Sequence, residues 1–247
     1  MRPWPAGAGL RPAQPQPPRR DDLRFPDETR RLQLGAGINV LHGWLNTDLE
    51  PGSGAVGLLD ATKPFPFEDQ VLDYVFSEHH LEHLTHPEGA FTLRECHRVL
   101  KPGGRIRIAT PDLGVLLGLY GGTPSATQAR YLSFISDRFI PEGDRDNPVF
   151  VINNAFSEWG HRFLYDRRTL RDLLLRVGYV DLAFWTPGRS ADPQLRGLER
   201  HGAYIGDEEI NRFETMVVEA TRPPGRPPVR KAGGAPRRPA DPGARRG

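Results

Sequence analysis

Apolar residues in the first part of the chain fall into short runs, each closed by glycine or acidic residues. "RLQLGAG" (31–37) reads as a strand running into a glycine-rich turn, and "GWLNTDLE" (43–50) as a second strand ending in acids. "VGLLDA" (56–61) is a short third strand, and "QVLDYVFS" (70–77) a buried fourth. A helical stretch follows from His79 to Leu100, interrupted at Pro87. "KPGG" (101–104) should stop it, with Gly103 and Gly104 supplying left-handed backbone. "RIRIATPD" (105–112) is a fifth strand. In "RRTLRDLLLRV" (167–177), Leu170, Leu173 and Leu174 share one helical face and Gly178 follows as the cap. "YVDLAFWT" (179–186) and "ETMVVEAT" (214–221) are β-like again. Strand alternating with helix predicts an α/β fold with a largely parallel sheet. Residues 114–166 break the rhythm. They are long, irregular and rich in aromatic and polar residues, and "YLSFISDRFI" is apolar enough to pack, so they read as an ordered lid.

Composition narrows this picture at the ends. A chain of 247 residues, 37% of them apolar, supports one domain. No run approaches a membrane span. The N-terminus starts basic but lacks the apolar stretch of a signal peptide. Cys96 is the only cysteine, so an internal disulfide is impossible and a reducing cytoplasm is the expected location. Residues 1–31 carry +3 and residues 222–247 carry +7, which leaves −8 on residues 32–221. These ends also hold 14 of the 25 prolines. The expected division is a disordered tail over 1–30, a folded domain over 31–221 that includes the lid, and a disordered basic tail over 222–247. An acidic core with basic tails argues against dedicated nucleic-acid binding.

"SEHHLEHL" (77–84) holds three histidines and two glutamates. On a helix His79 and His83 would share a face. The zincin pattern needs His-Glu-x-x-His, and position 80 is a second histidine, so no metal is expected here. The glycine turn Gly35-Ala36-Gly37 is either structural or leaves room for a ligand at the carboxyl ends of the strands. Asp48 lies eleven residues beyond Gly37, at the end of the next strand, where an acid can accept from both ribose hydroxyls. The dinucleotide fingerprint needs a third glycine, a helix for the pyrophosphate and an acid about 20 residues on. The short gap points instead to a nucleoside ligand without a diphosphate. Asp60 ends the third strand, placed to meet an adenine edge. Either aspartate can also be a turn or cap residue.

"LQLGAG", "GWLNTDL", "LLDATKPFPFEDQVLDYVFSEHHLEHL" and "RECHRVLKPGGRIRIATPDL" resemble class I methyltransferases that use S-adenosylmethionine. They are nearest the small bacterial methyltransferase-11-like group. The resemblance spans Leu32 to Leu113 and returns weakly in "HRFLYDRRTLRDLLLRVGYVD" and "ETMVVEAT". It implies a Rossmann-like methyltransferase fold, with a mostly parallel seven-stranded sheet of order 3-2-1-4-5-7-6 and the last strand antiparallel. It also implies S-adenosylmethionine as cofactor, bound by Leu34, Gly35, Ala36, Gly37, Asp48, Leu49, Asp60, Ala61, Ser77 and Glu78. Gln33 stands where the family commonly has an acid, and the third glycine of its first motif is absent. Glu78, His79 and the following turn become one wall of the pocket, with His80 and His83 partly solvated or structural and Glu82 pairing with a histidine.

Methyl transfer from a sulfonium is a displacement on an activated leaving group, so the enzyme mainly aligns the reacting atoms. Where the acceptor carries a proton, a histidine suits the role of base. His161 in "SEWGHRFLYD" and His79 are the catalytic candidates. Trp159, Arg162, Tyr165 and Asp112 are the expected acceptor contacts. In the plainer reading Asp112 caps the next segment, Trp159 packs the lid and His161 caps the helix starting near Asp166. The acceptor class is a small molecule or saccharide, and the expected assembly a monomer or weak dimer. Three further readings stand beside this one: a non-catalytic nucleoside-binding module, an NAD-dependent oxidoreductase or epimerase, and, weakest, a zinc hydrolase. The "NPPY"-like signature of amino-group methylation on nucleic acid is absent.

Overall fold

The computed structural model describes residues 23–140 and 147–225. The tail expectations for residues 1–22 and 226–247 lie outside these. Seven strands form one sheet in the order β3-β2-β1-β4-β5-β7-β6. They are β1 (Arg31–Leu34), β2 (Leu45–Asp48), β3 (Val56–Leu58), β4 (Leu72–Glu78), β5 (Leu100–Pro111), β6 (Val180–Trp185) and β7 (Thr215–Thr221). The pairings among β1 to β5 are parallel, while β7 runs antiparallel to both β5 and β6. The core strands are apolar on both faces: Leu32, Leu72, Val75 and Phe76 have no exposed surface. The register places Leu34 beside Ser77 and Ser77 beside Ile108. Asp48, Glu78 and Pro111 therefore emerge on one carboxyl edge, where ligands bind in open α/β sheets.

Helix α1 (His86–Val99) starts seven residues later than the sequence suggested. Pro87 sits in its first turn, where the missing N–H costs nothing, and Thr85 and Glu88 form a capping box. A helix running through Pro87 would lose an internal bond, so the preceding residues turn instead. His79 takes a left-handed φ of 45°, and Leu81–His83 make one 3-10 turn. "KPGG" does not stop the helix. Leu100 is already extended and opens β5, and only Gly103 has positive φ, at an irregularity of that strand where a Cβ on Gly104 would come 2.9 Å from the Lys101 carbonyl oxygen.

The region 114–166 is more regular than expected. It carries most of α2 (Leu113–Leu117), with α3 (Ala126–Phe139) and α4 (Pro148–Ser157). These pack around Leu116, Tyr131, Ile135 and Val151 in a second apolar cluster. Helix α5 (Arg167–Val177) is capped by Asp166 through the Thr169 N–H and closed by left-handed Gly178. It packs with α1 against the main core. Between β6 and β7 lies a second insertion, with α6 (His201–Ile205) and α7 (Glu208–Glu214), in a stretch the sequence reading left unassigned.

Both domain boundaries move outward. Residues 23–30 leave the tail: Leu23 is buried in the main core and the Phe25 ring meets Phe67 at 5.5 Å. At the other end, Arg222 Nη1 donates to the carbonyls of His97, Arg98 and Leu100, placing a cation at the C-terminus of α1. No helix among the described residues is long and apolar enough to cross a membrane.

Candidate active site

The carboxyl edge carries three adjoining cavities. The first, about 400 Å³, is lined by Leu34, Gly35, Gly37, Asp48, Leu49, Asp60, Ala61 and His80. The second, about 290 Å³, adds Ala36, Asn39, Glu78, His201 and Tyr204. The third, about 490 Å³, lies between the sheet edge and the two insertions, with Glu82, His83, Tyr131, Trp159, His161 and Glu214 in its walls. His79 borders all three.

The first cavity is shaped by bare backbone. Gly35 and Gly37 both take positive φ, and a Cβ on Gly35 would lie 2.6 Å from that of His80. Asp48 fixes the turn: Oδ2 accepts from the Gly37 N–H at 2.8 Å and Oδ1 from the Glu50 N–H at 3.0 Å. Asp60 Oδ1 accepts from the N–H and hydroxyl of Thr62. The two carboxylates thus have fixed directions on successive strand ends while each oxygen keeps lone pairs for a ligand. No helix lies between β1 and β2, so no helix N-terminus faces this turn. The His80 ring rests over Gly35; its Nδ1 is buried without a partner, and burial lowers its pKa. Of the ten expected cofactor residues, Ser77 is the one that lines none of the three cavities; its hydroxyl is buried and unpartnered.

Glu78 lines the second cavity and also holds the second insertion. Oε1 accepts from the N–H groups of Arg200 and His201, both at 2.9 Å, so the carboxylate fastens the start of α6 to the end of β4. The His201 ring then stacks on His79 at 3.8 Å.

His79 Nε2 lies 3.2 Å from Thr215 Oγ1, and that hydroxyl donates to Asn211 Oδ1. Nε2 must therefore carry a proton. Nδ1 lies 3.2 Å from the fully buried Glu82 Oε1, and a lone pair there would oppose a carboxylate. Burial lowers the His79 pKa, but Glu82, with Glu214 and Glu78, outweighs it and holds the pKa above the ordinary value. The carboxylates around His79 thus favour its protonated form, and both ring nitrogens are turned to oxygen atoms. Burial alone would raise Glu82, yet His79 holds it down at about 2.

His161 is the opposite case. Its Nδ1 donates to the Ala155 carbonyl at 2.7 Å, which leaves Nε2 unprotonated, and burial lowers its pKa. Trp159 and Gly160 both take positive φ and swing His161 into the third cavity, where its ring meets His83 edge-on at 5.1 Å. The N–H groups of Arg162 and Phe163 both donate to the Glu82 carbonyl and pin this loop to the turn after β4. His161 caps no helix, since Asp166 does so for α5.

Of the four expected acceptor residues, Trp159 lines the third cavity and the other three stand apart from it. Arg162 is outside, paired with Glu88 at 2.9 Å. Tyr165 is fully buried against Gly89, where a Cβ would come 2.6 Å from its hydroxyl. Asp112 caps α2 through the Gly114 N–H and pairs with Arg167. Tyr131, His201, Tyr204 and Glu214 were missed. The signal for α7 was present in "GDEEINRF", where Asp207 caps a helix with two acids in its first turn. Cys96 is buried and its pKa pushed up, which makes it an inert thiol.

The family model described as a methyltransferase domain matches residues 46–108. No curated protein matches the sequence. Among solved structures, an S-adenosylmethionine-dependent methyltransferase from Archaeoglobus fulgidus is 16% identical, with 80% of this chain and 87% of that one covered and a TM-score of 0.48. One from Mesorhizobium loti is 19% identical, covering 82% and 95%, with a TM-score of 0.47. Phosphoethanolamine N-methyltransferase 2 of Haemonchus contortus, in complex with S-adenosyl-L-methionine, is 17% identical with a TM-score of 0.44; 81% of this chain is covered, and it spans 50% of that protein's length.

Proposed function

We propose that this chain, a class I methyltransferase in its family match and its strand order, transfers the methyl group of S-adenosylmethionine to a small-molecule or saccharide acceptor. The observation that carries the reading is the pair Asp48 and Asp60 at successive strand ends, around a cavity floored by a bare glycine turn. Asp48 reaches ribose hydroxyls and Asp60 and Ala61 an adenine edge. With no helix after β1 there is nothing to hold a pyrophosphate, which favours this cofactor over NAD. The methionine half then extends past Gly37 toward Glu78 and His79, where the cofactor side meets the third cavity.

The acceptor sits in that cavity, under Trp159 and Tyr131. Its heteroatom forms a bond to the methyl carbon as the carbon–sulfur bond breaks, and the bonding pair leaves on sulfur to give S-adenosylhomocysteine. Where the acceptor carries a proton, that proton must leave as well. Both nitrogens of His79 are turned to Thr215 and Glu82, so activation of the acceptor falls to Nε2 of His161, whose Nδ1 is taken by the Ala155 carbonyl.

Calorimetry with S-adenosylmethionine, S-adenosylhomocysteine and NAD tests the cofactor. Asp48→Ala removes charge-assisted ribose bonds of about 1.5–3 kcal/mol each and should weaken S-adenosylmethionine binding roughly tenfold or more. Unchanged binding in a folded variant, or tighter binding of NAD, would sink the reading. In an acceptor panel scored by S-adenosylhomocysteine release, His161→Ala should lose on the order of 10²-fold in turnover with cofactor affinity intact.

A further inference from the structure

We infer that Glu82, His83 and His161 form a binding site for a divalent transition-metal ion of the zinc class, open toward the third cavity. One ligand atom from each lies within 4.8 Å of the other two. The sequence appeared to exclude a metal because His79 and His83 do not frame the zincin pattern. In the fold His79 is not the partner of His83. His161, 78 positions further along, takes that place.

Several independent features aim these atoms at a common point. Glu82 is fully buried, and its Oε1 has no aligned hydrogen bond, since His79 Nδ1 lies 3.2 Å away but off line. That oxygen therefore keeps lone pairs that no protein donor occupies, facing the third cavity. Its other oxygen is oriented by the Thr110 hydroxyl at 2.9 Å. His161 has the arrangement of a metal-bound imidazole, with one ring nitrogen donating to a backbone carbonyl and the other bare. The loop that carries it is held in place by left-handed Trp159, a conformation that is unfavourable for a side-chain-bearing residue and recurs at functional sites.

A second trio, His79, His201 and Glu214, is equally close together but not equally free. Both nitrogens of His79 are turned to oxygen atoms, and Glu214 Oε2 accepts from the Tyr131 hydroxyl at 2.8 Å. Two imidazoles and one carboxylate leave a fourth position for an outside ligand, the pattern of catalytic rather than structural zinc. With the ion bound, an acceptor hydroxyl at the open position would have its pKa lowered and would release its proton to water, and Nε2 of His161 would be a ligand rather than the base. In that respect the inference rests on the proposed function, but ion binding does not.

The test uses the full-length, tag-free chain and Co2+, whose visible absorption reports its coordination, followed by competition with Zn2+. The wild type should bind a single Co2+ with absorption characteristic of low coordination. His83→Ala and His161→Ala, at partly exposed positions that should leave the fold intact, should each weaken binding by about 100-fold or more, as loss of a direct ligand exceeds the usual loss from its supporting bonds. His201→Ala should keep the spectrum. Absence of Co2+ binding in the wild type, unchanged binding in both ligand variants, or loss in His201→Ala instead would overturn the site. Calorimetry with S-adenosylmethionine on the same preparations tests the proposed function separately: cofactor binding without Co2+ binding defeats only the metal site, and the reverse defeats only the cofactor reading.

Discussion

Glu82 exposes no surface, yet its pKa is held at about 2 by His79. Because the folded value is depressed below the ordinary 4.5, the pair stabilises the protein above that pH, and the stabilisation fades as pH falls toward 2. Glu82→Gln should therefore flatten the fall in unfolding free energy between pH 4.5 and 2, measured by urea titration. At neutral pH the variant removes the carboxylate that faces His79 Nδ1 and should lose about 1–3 kcal/mol. Parallel stability curves for the two proteins would show that the pair contributes nothing. At this scale the sequence was readable where a residue's role is local. Gly35, Gly37 and Asp48 sit in one turn, and their types and spacing announce it. His79 and His161 were readable as candidates, but the meeting of His161 with His83 was not, because it depends on a left-handed residue after β4 and on a loop arriving from far along the chain.

Among the elements, the segment before β1 departs most from its expected behaviour. Proline and arginine made residues 1–30 look uniform, but Leu23 and Phe25 reach the core. Leu23 fills the space above Gly57, where a Cβ would lie 2.5 Å from its Cδ2, and the Arg30 N–H donates to Asp73 at 2.9 Å. A chain beginning at residue 23 should keep the melting temperature of the whole protein. One beginning at residue 29, or Leu23→Ala, should lose about 2 kcal/mol, roughly 4–8 °C in thermal denaturation. An unchanged melting temperature in both would return the segment to the tail. The strands were legible because two-sided burial leaves continuous apolar runs bounded by glycine and acids. Helix α1 was legible in its body but not at its start, since Pro87 can end one helix or open another. The α6–α7 insertion went unseen because its helices are only five and seven residues long, too short for periodicity to register.

Across the whole molecule, one buried guanidinium links the sheet to the cavity wall. Arg107 on β5 has no exposed surface; it bonds Glu219 on β7 and Glu199, both at 2.6 Å, and the Arg189 carbonyl at 2.9 Å. Glu199 immediately precedes the Arg200–His201 segment that Glu78 holds. The second insertion is thus tied at adjacent residues to two central strands. Glu199→Ala should cost about 3–5 kcal/mol by stranding part of a buried cation, and calorimetry should show weaker S-adenosylmethionine binding as His201 and Tyr204 loosen. Full retention of both stability and affinity would mean that the insertion is held by its packing alone. Gly35, Asp48, Asp60 and His80, around the first cavity, all precede Asp112 in the chain. Tyr131, Trp159, His161, His201 and Glu214, around the third, all follow it. Only the His79–His83 turn belongs to both. On the proposed assignment the ribose and adenine end of the donor site is written before codon 112 and most of the acceptor cavity after it, while His201 and Tyr204 of the second cavity travel with the acceptor half; a recombination near codon 112 would therefore exchange the acceptor cavity together with one wall of the methionine side.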